Sequence, residues 1–382
     1  MIDNYQICKR CIMDTSDACI KFDKNEICNH CNDFDKIIVQ NWHPNNLGQQ
    51  KLKKIFDKIK NDSKKKQYDC IIGLSGGVDS TYLCLVIKKY NLRVLAVHVD
   101  AGWNSEIAVS NIEKVIKYCN FDLHTHVMNW KEIKDLQLSY LKSGVANQDV
   151  PQDHAFFSSL YHFAIKNNIK YIINGGNIAT ESVFPSSWHH SAMDSINLKA
   201  IYSKYGRYKL RDYKTINFFQ YYFYYPIIKK MKIIRPLNYI NYNKENAIEV
   251  LKKKINFKDY GFKHGESRFT KFFQNYYLPK KFNIDKRRPH YSSLILAGQL
   301  SRNQALEKIK ENLYSEDDLN QDKIFVCKKL GIGKEELEKY INDKKRSYKD
   351  FSNWDKVYKL MKLIKSLIEK IFKRKINFSI RF

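Results

Sequence analysis

Apolar positions along this chain alternate between two spacings. Cys70, Ile71, Ile72 and Leu74 form a short run, and Val78, Tyr82, Leu83, Leu85 and Val86 then recur at helical spacing. The same change repeats downstream. A run rich in β-branched residues over 93–100 precedes a helical pattern over 108–118. A strand pattern over 122–127 precedes helical patterns over 131–142 and 152–165, and Tyr171, Ile172 and Ile173 close the series. Short buried strands alternating with helices predict an α/β fold with a doubly wound parallel sheet. Beyond it the periodicity is largely helical, over 194–205, 244–254, 301–313, 318–330, 334–341 and 354–372. Ahead of it, Leu52, Ile55, Phe56 and Ile59 mark one face of a lysine-rich helix that follows a polar linker. The expected division is a small module over 1–45, the sheet domain over 46–250 and a mostly helical substrate or partner region over 251–382.

Glycines punctuate this pattern at two strand ends. The first predicted strand runs into Ser75-Gly76-Gly77, followed by Asp79, Ser80 and Thr81 at the start of a helix. Glycine lets backbone approach a ligand closely, and the free amides of a helix N-terminus attract anions, so this turn reads as a phosphate cradle. It lacks the lysine of the GxxxxGK[ST] loop. A carboxylate facing a polyphosphate is tolerable with Mg²⁺ between them, which gives Asp79 a metal-holding role. Tyr171-Ile172-Ile173 runs in the same way into Asn174-Gly175-Gly176-Asn177, with Glu181 shortly after. The strand over 93–100 ends in Asp100-Ala101-Gly102. Strand C-termini line the ligand crevice of open parallel sheets, so these three ends are expected to face one nucleotide. Asp100 is alternatively a plain helix-initiating residue.

Cys8 and Cys11, then Cys28 and Cys31, form two CxxC pairs with the separation of a four-thiolate Zn²⁺ site, closed to water and therefore structural. A short hairpin over 20–27 is expected between them. Cys19 and His30 are spare, and His124 and His126 alternate on a strand without a third ligand. A disulfide framework is not expected.

The formal charge of +27 points to a polyanion partner, but lysines are spread along the chain rather than gathered in one stripe. Neither an apolar signal segment nor a membrane-spanning run is evident, so a cytoplasmic protein is expected. Two basic stretches remain: 260–271, with Arg268 and Lys271, and 285–290, with Arg287 and Arg288. Such cations suit phosphate or carboxylate recognition, and the phosphate loop carries none of its own. The aromatic run Phe218 to Tyr225 is a stacking platform or a piece of core. The basic amphipathic helix over 354–372, with Val357, Leu360, Met361, Ile364, Leu367, Ile368 and Ile371 on one face, packs on its own domain, lies on a membrane or binds a partner.

Taken together, the paired CxxC motifs, SGGVDST, VDAGWNS, NGGNIATES and the stretch from His264 to Arg302 resemble the N-acetyl sugar amidotransferase family of the PP-loop ATP pyrophosphatase superfamily. The resemblance implies an adenine nucleotide alpha hydrolase-like sheet. It also implies an ATP-dependent conversion of an acetamido group on a bacterial surface sugar to acetamidino, with release of AMP and pyrophosphate. Ser75, Gly76, Gly77, Ser80 and Thr81 would then hold pyrophosphate and Asp79 its Mg²⁺. Asp100, Gly175, Gly176 and Asn177 would hold the nucleoside and substrate edge, while Arg268, Lys271, Glu181, Arg287 and Arg288 would contact the leaving group or the sugar. The substrate would be an acetamido sugar or its nucleotide conjugate, of the pseudaminic-acid type. No glutaminase segment is recognisable, so ammonia would come from solution or a separate glutaminase subunit. Two other readings stay open: a tRNA-modifying PP-loop enzyme, and a non-catalytic zinc and nucleotide scaffold.

Overall fold

A computed structural model describes residues 5–261 and 265–372. Its centre is a five-stranded sheet of β1 (Cys70–Gly73), β2 (Val94–Asp100), β3 (Asp122–Val127), β4 (Tyr171–Ile173) and β5 (Lys232–Ile234), in the order β3-β2-β1-β4-β5. Every pairing is parallel; Ile71 stands opposite Leu95 on one side and Ile172 on the other. The chain leaves β1 toward β2 and returns to β1's other side with β4, so the order reverses between β1 and β4. Ligand crevices open at such a point.

Strand alternation divides the core. Cys70, Ile72, Ala96 and Ile173 face a layer containing Leu52, Phe56 and Ile59 of the helix Asn46–Asp62, Leu83 and Ile87 of the helix Val78–Lys88, and Leu251 of the helix Lys244–Ile255. Each of these fully buried aliphatic or aromatic side chains stabilises the fold by at most about 1.5–3 kcal/mol. Ile71, Val97 and Ile172 face the opposite layer, which includes Ile133 and Leu136 of the helix Trp130–Ser143 and Leu160 and Ala164 of the helix Val150–Lys166. The cysteine module and the later helices join this second layer through Met13, Phe269, Val326 and Trp354.

The structure departs from the sequence expectation at four places. β5 was not anticipated: its three residues are Lys-Ile-Ile on an exposed sheet edge, too short and too polar for a strand pattern. The helix expected over 301–313 spans only Arg302–Lys308, because the Arg287 guanidinium takes the carbonyls of Lys308, Ile309 and Glu311 that would otherwise continue it. The expected hairpin between the CxxC pairs is a single bridge, Phe22 to Cys28; the Asp23 carboxylate accepts the amides of Asn25 and Ile27 and replaces a ladder by a side-chain turn. The linker before Asn46 is an N-cap, with Asn45 accepting the Gly48 amide.

The helix Arg287–Leu296 ties the cysteine module to the sheet domain. The Ser292 hydroxyl accepts the Ile12 amide at 3.2 Å, and the neighbouring Ser293 hydroxyl accepts the Val183 amide at 3.0 Å. The aromatic run Gln220–Ile228 is core on its inner side: Tyr225 stacks on Tyr161 at 4.6 Å and Tyr222 is buried.

Candidate active site

The turn after β1 is shaped by its glycines and serines. Gly76 has φ +81°, and a Cβ there would overlap the Ala108 carbonyl, so only glycine fits. Ser75 Oγ accepts the Gly77 amide at 3.2 Å and lies 3.2 Å from Ser80 Oγ, which closes the turn into a ring. Gly77 is the N-cap of the helix Val78–Lys88, and no side chain caps that end. Its first-turn amides are open to an anion. Asp79 accepts the Tyr242 hydroxyl. Burial, and the Asp79 carboxylate beside it, push the Tyr242 phenol up, so it stays a donor. Asp79 can present oxygens to a divalent ion, the donor chemistry Mg²⁺ requires.

The second glycine turn stands directly beside the first. A Cβ on Gly175 would lie 3.2 Å from the Ser80 amide nitrogen, so the two turns touch backbone to backbone. Asn174 Oδ1 accepts the Gly176 amide at 2.6 Å, and Asn177 caps the short helix Ile178–Glu181 by accepting the Thr180 amide at 3.0 Å. Glu181 is exposed next to Gly176. Asp100 is not a helix cap, since Ser105 holds that place; it accepts the Gly102 amide at 2.7 Å and Asn104 Nδ2 at 3.0 Å and so sets the β2 loop. His98 braces the floor, with Nδ1 2.9 Å from the Leu74 carbonyl.

The later region reaches this crevice by an unexpected route. Ser105 donates its amide to the Glu266 carbonyl and Arg268 donates its own to the Trp103 carbonyl, which fixes 266–268 against the β2 loop. Glu266 Oε1 would lie 3.2 Å from a Cβ on Gly77, so a carboxylate comes up to the phosphate loop. Tyr260 donates to the Gly76 carbonyl at 3.1 Å. Arg268 and Lys271 share Asp322: Arg268 Nη2 is 2.6 Å and Lys271 Nζ 3.2 Å from its carboxylate, and the Arg268 guanidinium lies 3.9 Å over Phe325. Both cations thus meet a buried acid rather than standing ready as the expected leaving-group contacts. Residues 262–264, including His264, lie outside the described residues.

Three further expected residues are placed differently. Thr81 is fully buried with its hydroxyl unbonded among the described residues, because that position of the helix faces the core rather than the crevice. Arg287 pairs with Asp285 at 2.8 Å while holding the end of the helix Arg302–Lys308. Arg288 pairs with Asp14 at 3.1 Å and donates to the Ile12 carbonyl at 3.0 Å, which fastens the cysteine module. Conversely, Arg235 was overlooked. It follows β5, its Nε would lie 4.0 Å from a Cβ on Gly176, and among the described residues its guanidinium has no hydrogen bond or ion pair. Only the strand-end rule applied to β5 would have found it.

Cys8, Cys11, Cys28 and Cys31 are buried, and their sulfurs lie within 4.8 Å of one another. The pairs Cys8–Cys31, Cys11–Cys28 and Cys28–Cys31 are 3.8, 3.6 and 3.7 Å apart. A tetrahedral ion with Zn–S bonds of about 2.3 Å requires sulfur edges of about 3.8 Å. The donor set therefore fits Zn²⁺. Arg302 supports the knuckle by donating to the Cys8 and Cys11 carbonyls at 2.9 and 3.0 Å. His30 is no ligand; it meets Asp17 at 2.7 Å. His124 and His126 pack on Phe163, and among the described residues no other metal-type cluster occurs.

Residues 266–365 match the family model for the LPS biosynthesis protein WbpG-like C-terminal domain, and residues 69–253 match that for queuosine biosynthesis protein QueC. The chain is a WbpG-like PP-loop protein. Its WbpG-like part begins at Glu266, where the chain meets the phosphate loop, and its QueC-like part contains the whole sheet. No curated protein matches the chain. Among solved structures, NMN synthetase from Francisella tularensis is 15% identical over 72% of this chain and 92% of its own, with a TM-score of 0.33. NH3-dependent NAD synthetase from Campylobacter jejuni is 16% identical over 70% and 99%, with a TM-score of 0.34. The U34-tRNA thiolase NcsA from Methanococcus maripaludis is 15% identical over 70% and 82%, with a TM-score of 0.32. Among the described residues no helix is long and apolar enough to cross a membrane.

Proposed function

We propose that this protein is an ATP-dependent amidotransferase that converts the acetamido group of a bacterial surface sugar, of the pseudaminic-acid type, to acetamidino. The observation that carries the reading is the meeting at Gly77: the WbpG-like region supplies Glu266, and Tyr260 just ahead of it joins as part of the same wall of a PP-loop phosphate cradle.

An amide oxygen is a poor leaving group. Its attack on the α-phosphorus forms a new P–O bond as the bond to pyrophosphate breaks, giving an O-adenylated imidate. Ammonia then forms a C–N bond to the imidate carbon, and AMP departs with the C–O electron pair. Spare protons go to solvent. The chain's share is positioning and charge stabilisation. Ser75, Ser80 and the open amides after Gly77 hold the departing pyrophosphate, and Asp79 holds the Mg²⁺ that neutralises it. The Gly175-Gly176 turn and the Asp100 loop bound the nucleoside. Arg235 supplies the cation that the phosphate loop lacks. Ammonia comes from solution or a separate glutaminase subunit.

A thiolase reading requires a reactive thiolate near the phosphate loop. Burial pushes the thiols of Cys70, Cys84 and Cys327 up, and raises Cys119 to about 11, which is the reverse of activation. The test is incubation with ATP, Mg²⁺, an ammonium salt and an acetamido nonulosonic sugar, following AMP and sugar mass together. AMP matched by replacement of oxygen by NH supports the proposal. An unchanged sugar, with AMP released only on addition of tRNA, overturns it.

A further inference from the structure

The helix Asp355–Phe372 presents five described apolar residues to solvent. Val357, Leu360, Leu363, Ile364 and Leu367 are 38%, 57%, 63%, 42% and 58% exposed. At the helical turn per residue these five span an arc of about 120°. Exposed Lys362 lies on the opposite side, exposed Lys359 flanks the arc, and exposed Lys356 lies within it between Leu363 and Leu367. The start of the helix is anchored: Trp354 is buried against Phe218, Tyr221 and Tyr222, and its amide donates to Asp194 at 2.8 Å.

The anchoring aromatic segment has the same character on its outer side. Phe219, Ile227 and Ile228 are 58%, 50% and 58% exposed, and Lys229 and Lys230 beside them are exposed too. Two apolar and basic elements therefore meet at Trp354. Monomers rarely leave such a patch open.

We propose that this face is an amphipathic anchor that lies in the plane of an anionic lipid surface. The apolar arc would enter the headgroup boundary, while the lysines extend their charges to anionic headgroups. Charge selects this occupant over a second copy of the chain: at a formal +27, two copies repel, whereas an anionic bilayer attracts.

The experiment is co-sedimentation of the full chain with phosphatidylcholine vesicles, with and without phosphatidylglycerol. The expected result is binding to the anionic vesicles alone, weakened by salt. The double variant Leu360→Asp, Leu367→Asp should reduce partition by about tenfold or more. The triple variant Lys356→Glu, Lys359→Glu, Lys362→Glu should reduce it on the order of a hundredfold. Both should retain circular dichroism and ATP turnover, since the changed residues are exposed. Absence of binding to anionic vesicles at low salt overturns the proposal. Binding that survives both variants, or a dimer in sedimentation that the leucine variant converts to monomer without any vesicle binding, overturns it equally. The outcome is independent of which substrate the active site takes.

Discussion

Gly175 and Ser80 lie in backbone contact across the switch point of the sheet, so close that a Cβ on the glycine would stand 3.2 Å from the Ser80 amide nitrogen. The two glycine turns therefore share one wall. Gly175→Ala has to move the phosphate helix by a few tenths of an ångström. We expect kcat/KM for ATP to fall about tenfold, in line with the cost of small misplacements, with little change in thermal midpoint. Steady-state pyrophosphate release measures this; an unchanged KM and kcat would separate the turns functionally.

Asp79 and Tyr242 separate charge from positioning. Asp79→Asn keeps the hydrogen bond to the phenol and removes the charge, and kcat should fall on the order of 10²–10³. Tyr242→Phe keeps the charge and removes the donor, with a smaller loss of about tenfold. Raising Mg²⁺ should partly restore turnover in the tyrosine variant only.

Arg235 stands at the strand end next to Gly176. Arg235→Ala should reduce kcat/KM by about 10²-fold without altering the melting transition, because no bond within the described chain is lost. Arg268→Ala should do the opposite: it leaves the acid Asp322 with less compensation and lowers stability by about 1–3 kcal/mol. Parallel thermal denaturation and turnover assays separate the two.

The four-cysteine site should hold one zinc per chain by metal analysis. Cys11→Ser, or strong chelation, should lower the melting temperature on the order of 10 °C. An unshifted transition after verified metal loss would make the metal dispensable to the fold.

His154 gives a pH signature. Its Nδ1 donates to the Ala192 carbonyl at 2.8 Å, and its Nε2 accepts the Ile216 amide at 3.1 Å, an arrangement that only the neutral ring can make. Burial pushes its pKa down to about 4, against about 6.5 in an unfolded chain. Between these values the unfolded state binds more protons, so this contribution is complete above pH about 6.5 and is lost as pH falls to about 4. It amounts to roughly 3 kcal/mol at most. Ring titration by NMR should show His154 neutral at pH about 5; a ring charged there would remove this source of acid lability.

The sheet was largely legible because β1, β2 and β4 are apolar runs buried on both faces, a pattern that survives without tertiary information. The glycine turns were legible for a related reason, since their positions follow from the strands that deliver them. What sequence could not indicate is which charges meet. Asp322 is fifty-four positions from Arg268 and was part of an ordinary helix pattern, yet it takes both cations that had been assigned to the leaving group. Tyr242, Tyr260 and Glu266 were likewise invisible as site residues, because only the folded path of 240–270 brings them to Gly76, Gly77 and Asp79. The amphipathic last helix was legible as a pattern, but its exposure depends on the absence of a partner surface, which periodicity does not encode.

Ser292 and Ser293 hold Ile12 and Val183 from consecutive positions of one helical turn. The first and last thirds of the chain are thus stitched across its middle, and sequence order is a poor guide to where the protein could come apart. A protease nick in a connecting loop would cut the covalent chain but leave fragments associated under native conditions, separating only in denaturant. Removal of the cysteine module would likewise take away a strut rather than an appendage, so such shortened versions would lose solubility before they revealed which part does the chemistry.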